Sequence, residues 1–331
     1  MPSAAFKEDE LSCLPEDERS TVFYSSGTTR HRPSRHFHNN KSLEVYEASL
    51  LGWFAAHLLT DVVTSASAPV NCLNRMGCAH EQLILTGLAL TPAPAQAPHS
   101  SLVHMFEALR RNVGFSKFTF TGTAAEDGTW NLDCSTAIAL LQRAVIANEP
   151  VLLFGTAFSY VHLLDHMAQL SLGLRLPIGS RALETGGYKG RSRVLPKSEL
   201  HSLITSKLGI PPSRIVCEYG MSELSSQAYD RVACPGKEPD PEMGFEEGRS
   251  PRSTCFHFPP WVRVQVVSPE TGQPVEEGQT GLIRVFDLAN VYSVMAVQTE
   301  DLAVRRGDGF ELVGRAALAE ARGCSLLAQQ P

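Results

Sequence analysis

Hydroxyl, glycine and cationic side chains are concentrated in one short segment near the start of this 331-residue chain. The segment contains the loop Ser25-Ser26-Gly27-Thr28-Thr29, which follows the apolar run Val22-Phe23-Tyr24 and precedes Arg30, Arg32 and Arg35. The glycine lets the backbone approach a ligand closely, while hydroxyl and N–H groups donate to phosphate oxygens and guanidinium groups neutralise their charge. This composition predicts a phosphate-binding loop, although a surface hairpin rich in serine, threonine and glycine is the alternative. The lysine that ends the strand-to-helix phosphate loop is missing, so the loop is of another type.

A second chemically rich segment, Glu218-Tyr219-Gly220-Met221-Ser222-Glu223, follows a buried strand that the sequence predicts at 215–217. Ligands of open α/β sheets bind beyond the carboxyl ends of the strands, which is where this segment would lie. There Tyr219 can stack on a planar base, Ser222 can donate to a phosphate oxygen, and Glu223 can bind Mg²⁺. The segment therefore predicts one face of a ligand site.

Three other segments add groups of the same kind. Gly186 and Gly187 offer a close backbone approach, and the cation Lys189 follows them. Asp301, predicted at the end of a strand, suits a ribose diol, and Arg315 follows a predicted turn. Taken alone, Glu223, Asp301 and Arg315 are each better explained as a surface charge or a turn residue, so only the combination of segments indicates a site.

Composition limits the class of protein. Hydrophobic residues make up 43% of the chain and charged residues 19%, and the formal net charge is -6. These values indicate a globular protein with no electrostatic preference for nucleic acid or an anionic membrane. The chain has no run of about 18 apolar residues and begins with polar and acidic residues, so we expect a cytoplasmic protein without a membrane span.

The eight cysteines form no Cys-x-x-Cys pair, and we expect most of them to be small core residues. Two groups combine cysteine with histidine, namely Cys72/Cys78/His80 and Cys234/Cys255/His257. Neither group offers four ligands with the spacing of a zinc finger, so the sequence does not favour a metal site there.

Helical and strand patterns alternate along most of the chain, which favours an α/β fold. The spacing of apolar residues predicts helices at 42–59, 101–112, 135–148, 158–170 and 198–208, and buried strands at 151–155 and 215–217. From residue 261 onward the pattern has period two and predicts strands at 261–267, 281–286 and 310–313. We therefore expect an N-terminal tail at 1–20, an α/β core at 21–260, and a β-rich subdomain with a short C-terminal arm at 261–331.

The order of the motifs resembles that of the adenylate-forming enzymes: Gly-Thr-Thr loop, Gly-Gly, Tyr-Gly-x-Ser-Glu, Thr-x-Asp and Gly-Arg. Several segments are similar to the acyl-protein synthetase (LuxE-type) branch, which is itself similar to phenylacetate-CoA ligases. These segments are 34–36, 183–191, 219–230, 286–290 and 322–326. The resemblance implies the large-domain fold of these enzymes, with mixed sheets flanked by helices and a C-terminal β-rich subdomain.

The resemblance implies that ATP activates a carboxylic acid as an acyl-adenylate, with release of pyrophosphate, and that a thiol then captures the acyl group. Mg²⁺ would accompany ATP, and the partners would be the acid and an acyl-acceptor protein, either a reductase or a carrier. The implied cofactor-binding residues are Ser25, Ser26, Gly27, Thr28, Thr29, Arg35, Gly186, Gly187, Tyr219, Gly220, Asp301 and Arg315. The implied catalytic residues are Ser222, Lys189, Cys324 and Glu223, which would also bind Mg²⁺. Candidates for the acid pocket, at strand ends facing one crevice, are Gly155, Thr156, Phe158 and Tyr188.

The chain departs from the superfamily pattern at three points. Only about two dozen residues precede the loop, so we expect the helices that normally precede it to be shortened or missing. Arg30 stands where the loop usually has a second glycine. Only 16 residues follow Arg315, so we expect no mobile C-terminal domain. Cys324 lies beside Arg322 and Gly323 and is predicted to carry the acyl group, with a small buried cysteine as the alternative. Coenzyme A or an amine is an alternative acceptor, and a nucleotide-binding partner protein without catalysis is the alternative from another class.

Overall fold

The computed structural model describes residues 1–25, 32–63, 83–126, 128–187, 192–233 and 255–315. Its strands are β1 (Thr21–Tyr24), β2 (Arg35–His38), β3 (Leu83–Pro92), β4 (Phe115–Ala124), β5 (Trp130–Leu132), β6 (Val151–Thr156), β7 (Arg181–Thr185), β8 (Ile215–Tyr219), β9 (Ala228–Tyr229), β10 (Val262–Val267), β11 (Thr280–Asp287), β12 (Ala296–Arg306) and β13 (Gly309–Arg315). Its α-helices are α1 (Ala5–Glu8), α2 (Asn40–Leu58), α3 (Thr60–Val63), α4 (Ser101–Asn112), α5 (Cys134–Ala147), α6 (Ala157–Gln169) and α7 (Lys197–Leu208).

The strands form three sheets. Strands β1 and β2 make an antiparallel hairpin, and β10 to β13 make a four-stranded antiparallel sheet. The largest sheet has the order β5-β4-β3-β6-β7-β8-β9, in which the five inner strands are parallel and the two edge strands antiparallel. The predicted α/β architecture with mixed sheets and a β-rich C-terminal part is confirmed.

Helices cover both faces of the large sheet, which explains why its inner strands are apolar on both sides. All six residues of β6 are buried. Leu152 and Phe154 pack in a core with residues of α2 and α4, whereas Val151 and Leu153 pack in a core with residues of α5, α6 and α7. Because side chains alternate along a strand, one apolar run serves two cores.

Local signals set several helix ends. Helix α5 begins after Asp133, whose side chain accepts a hydrogen bond from the backbone N–H of Thr136 at 2.9 Å. The helix predicted at 135–148 therefore begins one residue earlier, at Cys134. Helix α7 ends at Leu208, and its C-cap residue Gly209 has a φ of +72°, a left-handed conformation that glycine adopts readily.

The N-terminal segment and the C-terminal sheet pack together beside the carboxyl end of β8. The N-terminal amine of Met1 donates to the carbonyl of Ala296 at 2.9 Å, and Phe6 is fully buried in a core that includes Tyr219. Residues 1–20 therefore contain an anchored segment where the sequence suggested a tail. Strand β12 continues to Arg306, so the prediction that Asp301 ends a strand is wrong.

Candidate functional site

The carboxyl ends of three parallel strands lie side by side at one edge of the large sheet. In the register of β6, β7 and β8, Thr156 is opposite Thr185, and Thr185 is opposite Glu218. Gly186 and Gly187 follow β7 at this edge, and the segment 219–223 starts at the end of β8. Gly186 has a φ of +62°, a conformation that residues with a side chain rarely adopt.

The β1–β2 hairpin brings the residues that flank the hydroxyl-rich loop next to the end of β8. The backbone N–H of Ser25 donates to the carbonyl of Ser34 at 3.1 Å, and the N–H of Ser34 donates to Ser25 Oγ at 2.8 Å. His36 Nδ1 lies 2.7 Å from the carbonyl oxygen of Ser222. The guanidinium of Arg35, predicted to bind the cofactor, forms an ion pair with Glu10 at 2.7 Å.

Ser222 and Glu223 are both buried, and their side chains contact each other. Ser222 Oγ donates to Glu223 Oε2 at 3.0 Å, and Asn290 Nδ2 donates to the backbone carbonyl of Glu223 at 2.9 Å. A hydroxyl beside a carboxylate is an all-oxygen donor set of the kind that Mg²⁺ prefers. The pair therefore fits the metal-binding role predicted for Glu223.

Tyr219, Asp301 and Arg315 form one hydrogen-bonded group. Tyr219 Oη donates to Asp301 Oδ2 at 2.9 Å, and Arg315 Nε donates to Asp301 Oδ1 at 3.2 Å. A carboxylate has about four lone-pair sites, so Asp301 can keep both bonds and still accept hydrogen bonds from ribose hydroxyls. The two bonds are therefore compatible with the ribose-binding role predicted for Asp301. The ring of Tyr219 is 2% exposed and packs edge-on against Phe310, with ring centroids 5.2 Å apart. Its predicted stacking on a base stays a prediction.

Asp287 connects two segments that the sequence analysis singled out, 219–230 and 286–290. Its fully buried carboxylate accepts hydrogen bonds from the N–H of Ser225 at 2.9 Å, Ser226 Oγ at 2.8 Å and the N–H of Ala289 at 3.0 Å. Burial raises the pKa of Asp287, and these donors oppose that effect. The network ties the segment after Glu223 to the end of β11.

Glu218 is a buried carboxyl group at the edge where the candidate segments meet. Thr185 Oγ1 donates to Glu218 Oε2. Loss of hydration raises the pKa of Glu218 to about 7, although the bond from Thr185 acts in the opposite direction. A Cβ atom at position 220 would lie 2.2 Å from Glu218 Oε1, so a residue larger than glycine would force the Glu218 carboxyl group to shift.

A second polar cluster lies one residue earlier on β7 and β8, and therefore on the other face of the sheet. Cys217 Sγ is 2.8 Å from Glu184 Oε2 and 3.4 Å from His201 Nε2, and the three ligand atoms fit within 4.8 Å. Lys197 contacts Cys217 and donates to Asp230 at 3.1 Å. This ammonium supplies positive charge to the cluster, so a metal ion is not needed to balance it. Sequence reasoning missed the cluster because its members come from β7, β8 and α7 and meet only in the folded chain.

Three candidates for the acid pocket, Gly155, Thr156 and Phe158, lie within the described residues and are close to side chains or backbone of helix α6. A side chain at Gly155 would lie 2.8 Å from Ser159 Oγ, and Thr156 Oγ1 accepts a hydrogen bond from the N–H of Ser159 at 3.1 Å, which caps α6. Phe158 is half-buried, with its ring 4.5 Å from that of His162. Helix packing thus accounts for Gly155 and Thr156, and the acid-binding role of these residues stays a prediction.

Other predictions fall outside the described residues. They concern Ser26, Gly27, Thr28, Thr29, Tyr188, Lys189 and Cys324, together with the cysteines at 72, 78 and 234. Of the second cysteine–histidine group, Cys255 Sγ and His257 Nε2 are described and lie 3.8 Å apart. No α-helix among residues 1–25, 32–63, 83–126, 128–187, 192–233 and 255–315 has the length and apolar composition to cross a membrane.

Several solved structures with a similar fold are ligases. ATP-bound MatB from Rhodopseudomonas palustris has a TM-score of 0.54 and 16% identity, over 91% of this chain and 49% of that one. The 2-hydroxyisobutyryl-CoA ligase in its postadenylation state has a TM-score of 0.56 and 13% identity, over 95% of this chain and 56% of that one. The long-chain-fatty-acid-CoA ligase FadD1 from Archaeoglobus fulgidus has a TM-score of 0.53 and 14% identity, over 91% and 52%. The predicted fold of adenylate-forming ligases is confirmed.

Sequence comparison identifies the family. The long-chain-fatty-acid–luciferin-component ligase of Aliivibrio fischeri is 30% identical over 91 residues, which cover 22% of this chain and 24% of that protein. The chain thus spans about a quarter of the length of this curated relative. The family described as acyl-protein synthetase, LuxE, matches residues 112–331. This match confirms the resemblance predicted from the motif order, and the chain belongs to the LuxE acyl-protein synthetase family.

Proposed function

We propose that this protein is a ligase that uses ATP and Mg²⁺ to activate a carboxylic acid and then transfers the acyl group to a thiol. The observation that carries the proposal is the meeting of distant segments at the end of β8. The β1–β2 hairpin contacts Ser222 through His36, and Tyr219 contacts Asp301 and Arg315. Family membership supports the same reaction class.

In the proposed first step, a carboxylate oxygen attacks the α-phosphorus of ATP, and the bond from that phosphorus to the oxygen shared with the β-phosphate breaks. The products are an acyl-adenylate and pyrophosphate. Ser222 would donate to an α-phosphate oxygen, and Asp301 would accept hydrogen bonds from the ribose hydroxyls. Mg²⁺, held by Glu223, would neutralise the charge of the phosphates.

In the second step, the thiol sulfur attacks the acyl carbonyl carbon, AMP leaves, and the thiol proton is released. The proposed acceptor is a protein cysteine, because the family is one of acyl-protein synthetases. Cys324 is the proposed internal carrier of the acyl group. The acyl-acceptor partner would be a reductase or a carrier protein.

Acid-dependent exchange of labelled pyrophosphate into ATP tests the first step. The purified protein is screened with fatty, aryl and hydroxylated carboxylic acids in the presence of Mg²⁺. We expect exchange with at least one class of acid. Absence of exchange with all classes, in protein that is folded, would reject the adenylation reaction and favour a nucleotide-binding partner protein.

Two variants test the residue roles. Asp301→Ala should raise the KM for ATP by about 10- to 100-fold, since it removes a charge-assisted acceptor. Glu223→Gln should instead lower kcat and weaken the response to Mg²⁺ concentration. Asp308→Ala is the matched control, because the Asp308 side chain is 93% exposed. Parent-like KM for ATP in the first variant and parent-like kcat in the second would refute these assignments.

Mass spectrometry identifies the acceptor. After incubation with ATP, Mg²⁺ and an active acid, a thiol-sensitive acyl adduct is expected on Cys324. If the adenylate forms without this adduct, the protein is supplied with coenzyme A or small amines and the acyl product is identified.

A further inference from the structure

His36 occupies the contact between the β1–β2 hairpin and the Ser222–Glu223 pair. Its ring is 1% exposed, and Nδ1 lies 2.7 Å from the carbonyl oxygen of Ser222. A carbonyl oxygen only accepts hydrogen bonds, so Nδ1 must carry the proton. The structure thus defines both the tautomer of His36 and the group that it holds.

The surroundings of His36 hold the ring in place. Burial lowers the pKa of His36, whereas the bond to Ser222, the charge of Glu223 and a side-chain hydrogen bond with Asn290 oppose this effect. Phe6 packs edge-on against the ring with centroids 6.1 Å apart, and the ring of His38 lies at 4.2 Å. The ring is thus held by Phe6, His38 and Asn290, and its Nδ1 faces the backbone of Ser222.

Ser222 and Glu223 are held from two sides through their backbone carbonyls. His36 of β2 bonds to the carbonyl of Ser222, and Asn290, after β11, donates to the carbonyl of Glu223 at 2.9 Å. The same strand β2 begins directly after Ser34, which closes the base of the hydroxyl-rich loop by bonding to Ser25. One short strand therefore connects the base of the loop to the Ser–Glu pair.

We infer that His36 is a positioning residue, which fixes Ser222 and Glu223 relative to the hairpin that carries the hydroxyl-rich loop. The inference rests on the proposed function, in which loop and pair act on the same nucleotide. His36 would not touch the nucleotide itself. A shift of the pair by about 1 Å would lower the rate of adenylation by about 100-fold while the protein remains folded.

Two substitutions separate positioning from simple packing. In His36→Asn the side-chain amide nitrogen can occupy the place of Nδ1 and keep the bond to Ser222. In His36→Gln the amide reaches the place of Nε2, so the bond is lost while a polar side chain of closer size remains. His104→Gln is the control, because His104 packs against Phe23 of the same hairpin and pairs with Glu47 at 3.1 Å.

The measurement is acid-dependent pyrophosphate exchange, with kcat and the KM for ATP determined separately. We expect His36→Asn to retain kcat within about 3-fold of the parent, and His36→Gln to lose about 100-fold in kcat with similar melting temperatures. Equal kcat values for the two variants would overturn the inference. Absence of exchange in the parent would instead overturn the proposed function.

The tautomer provides a second measurement that needs no substitution. In protein labelled with ¹⁵N-histidine, long-range ¹⁵N–¹H correlation should show a proton on Nδ1 of His36. A His36 ring that carries its proton on Nε2 and none on Nδ1 would contradict the geometry and overturn the inference, even if the variants do not fold.

Discussion

Glu218→Gln should make the protein more stable at alkaline pH, because it removes a carboxyl group whose charge is unfavourable in the folded state. Burial raises the pKa of Glu218 from 4.5 to about 7. The folded protein therefore favours the protonated form. The stability associated with that proton is fully present below pH 4.5 and is lost as the pH rises to about 7.

The magnitude follows from the difference between the two pKa values. About 2.5 pH units correspond to about 3 kcal/mol of unfolding free energy above pH 7, and to about 1 kcal/mol at pH 5. Glutamine cannot ionise and keeps an oxygen that accepts the bond from Thr185. The stability advantage of Glu218→Gln should thus grow by about 2 kcal/mol between pH 5 and pH 8.

Urea unfolding of parent and variant at pH 5, 6, 7 and 8 measures this difference. Glu270→Gln, at an exposed position of the β10–β11 turn, controls for the change in net charge. The reasoning is refuted if the stability curves of parent and Glu218→Gln run parallel within about 0.5 kcal/mol, the usual effect of a surface substitution.

Two further predictions concern the packing around the candidate site. Asp287→Ala should lower the unfolding free energy by about 2–3 kcal/mol, since it leaves buried donors such as Ser226 Oγ without their acceptor. Urea unfolding measures this loss. The loss should be smaller in Asp287→Asn. Gly220→Ala should cost about 1–3 kcal/mol, because the added carbon would lie 2.2 Å from Glu218 Oε1. Its control is Gly52→Ala, where the added carbon meets no atom within 4 Å, and an unchanged melting temperature in Gly220→Ala would contradict the steric argument.

Local patterns in the sequence predicted most of the helices of the α/β core. The helix predicted at 101–112 is α4 without change, and the one predicted at 198–208 is α7 with one more residue. Apolar spacing and chain-breaking residues are local properties, so a single sequence contains them. The first residues of the chain were less predictable, because the other buried residues of the core that contains Phe6 lie more than 200 positions away along the chain.

Asp301 shows why a local pattern can mislead. Aspartate is depleted in strands, and its position after Thr299 indicated a strand end. In the structure β12 continues past it, because Tyr219 and Arg315 satisfy its carboxylate inside the sheet. The partners come from two other strands, so the sequence near Asp301 contains no sign that the charge is accommodated.

The same limit applies more strongly to the contacts that hold the Ser222–Glu223 pair. Position along the chain was enough to predict that segments after parallel strands share one edge, because the carboxyl ends of such strands meet. The bonds from His36 and Asn290, however, go to backbone carbonyls. Every residue has a carbonyl, so these contacts require no complementary residue type at positions 222 and 223. The chemistry of a site can therefore be predicted from its side chains, whereas the contacts that position its backbone become known only when the chain is folded.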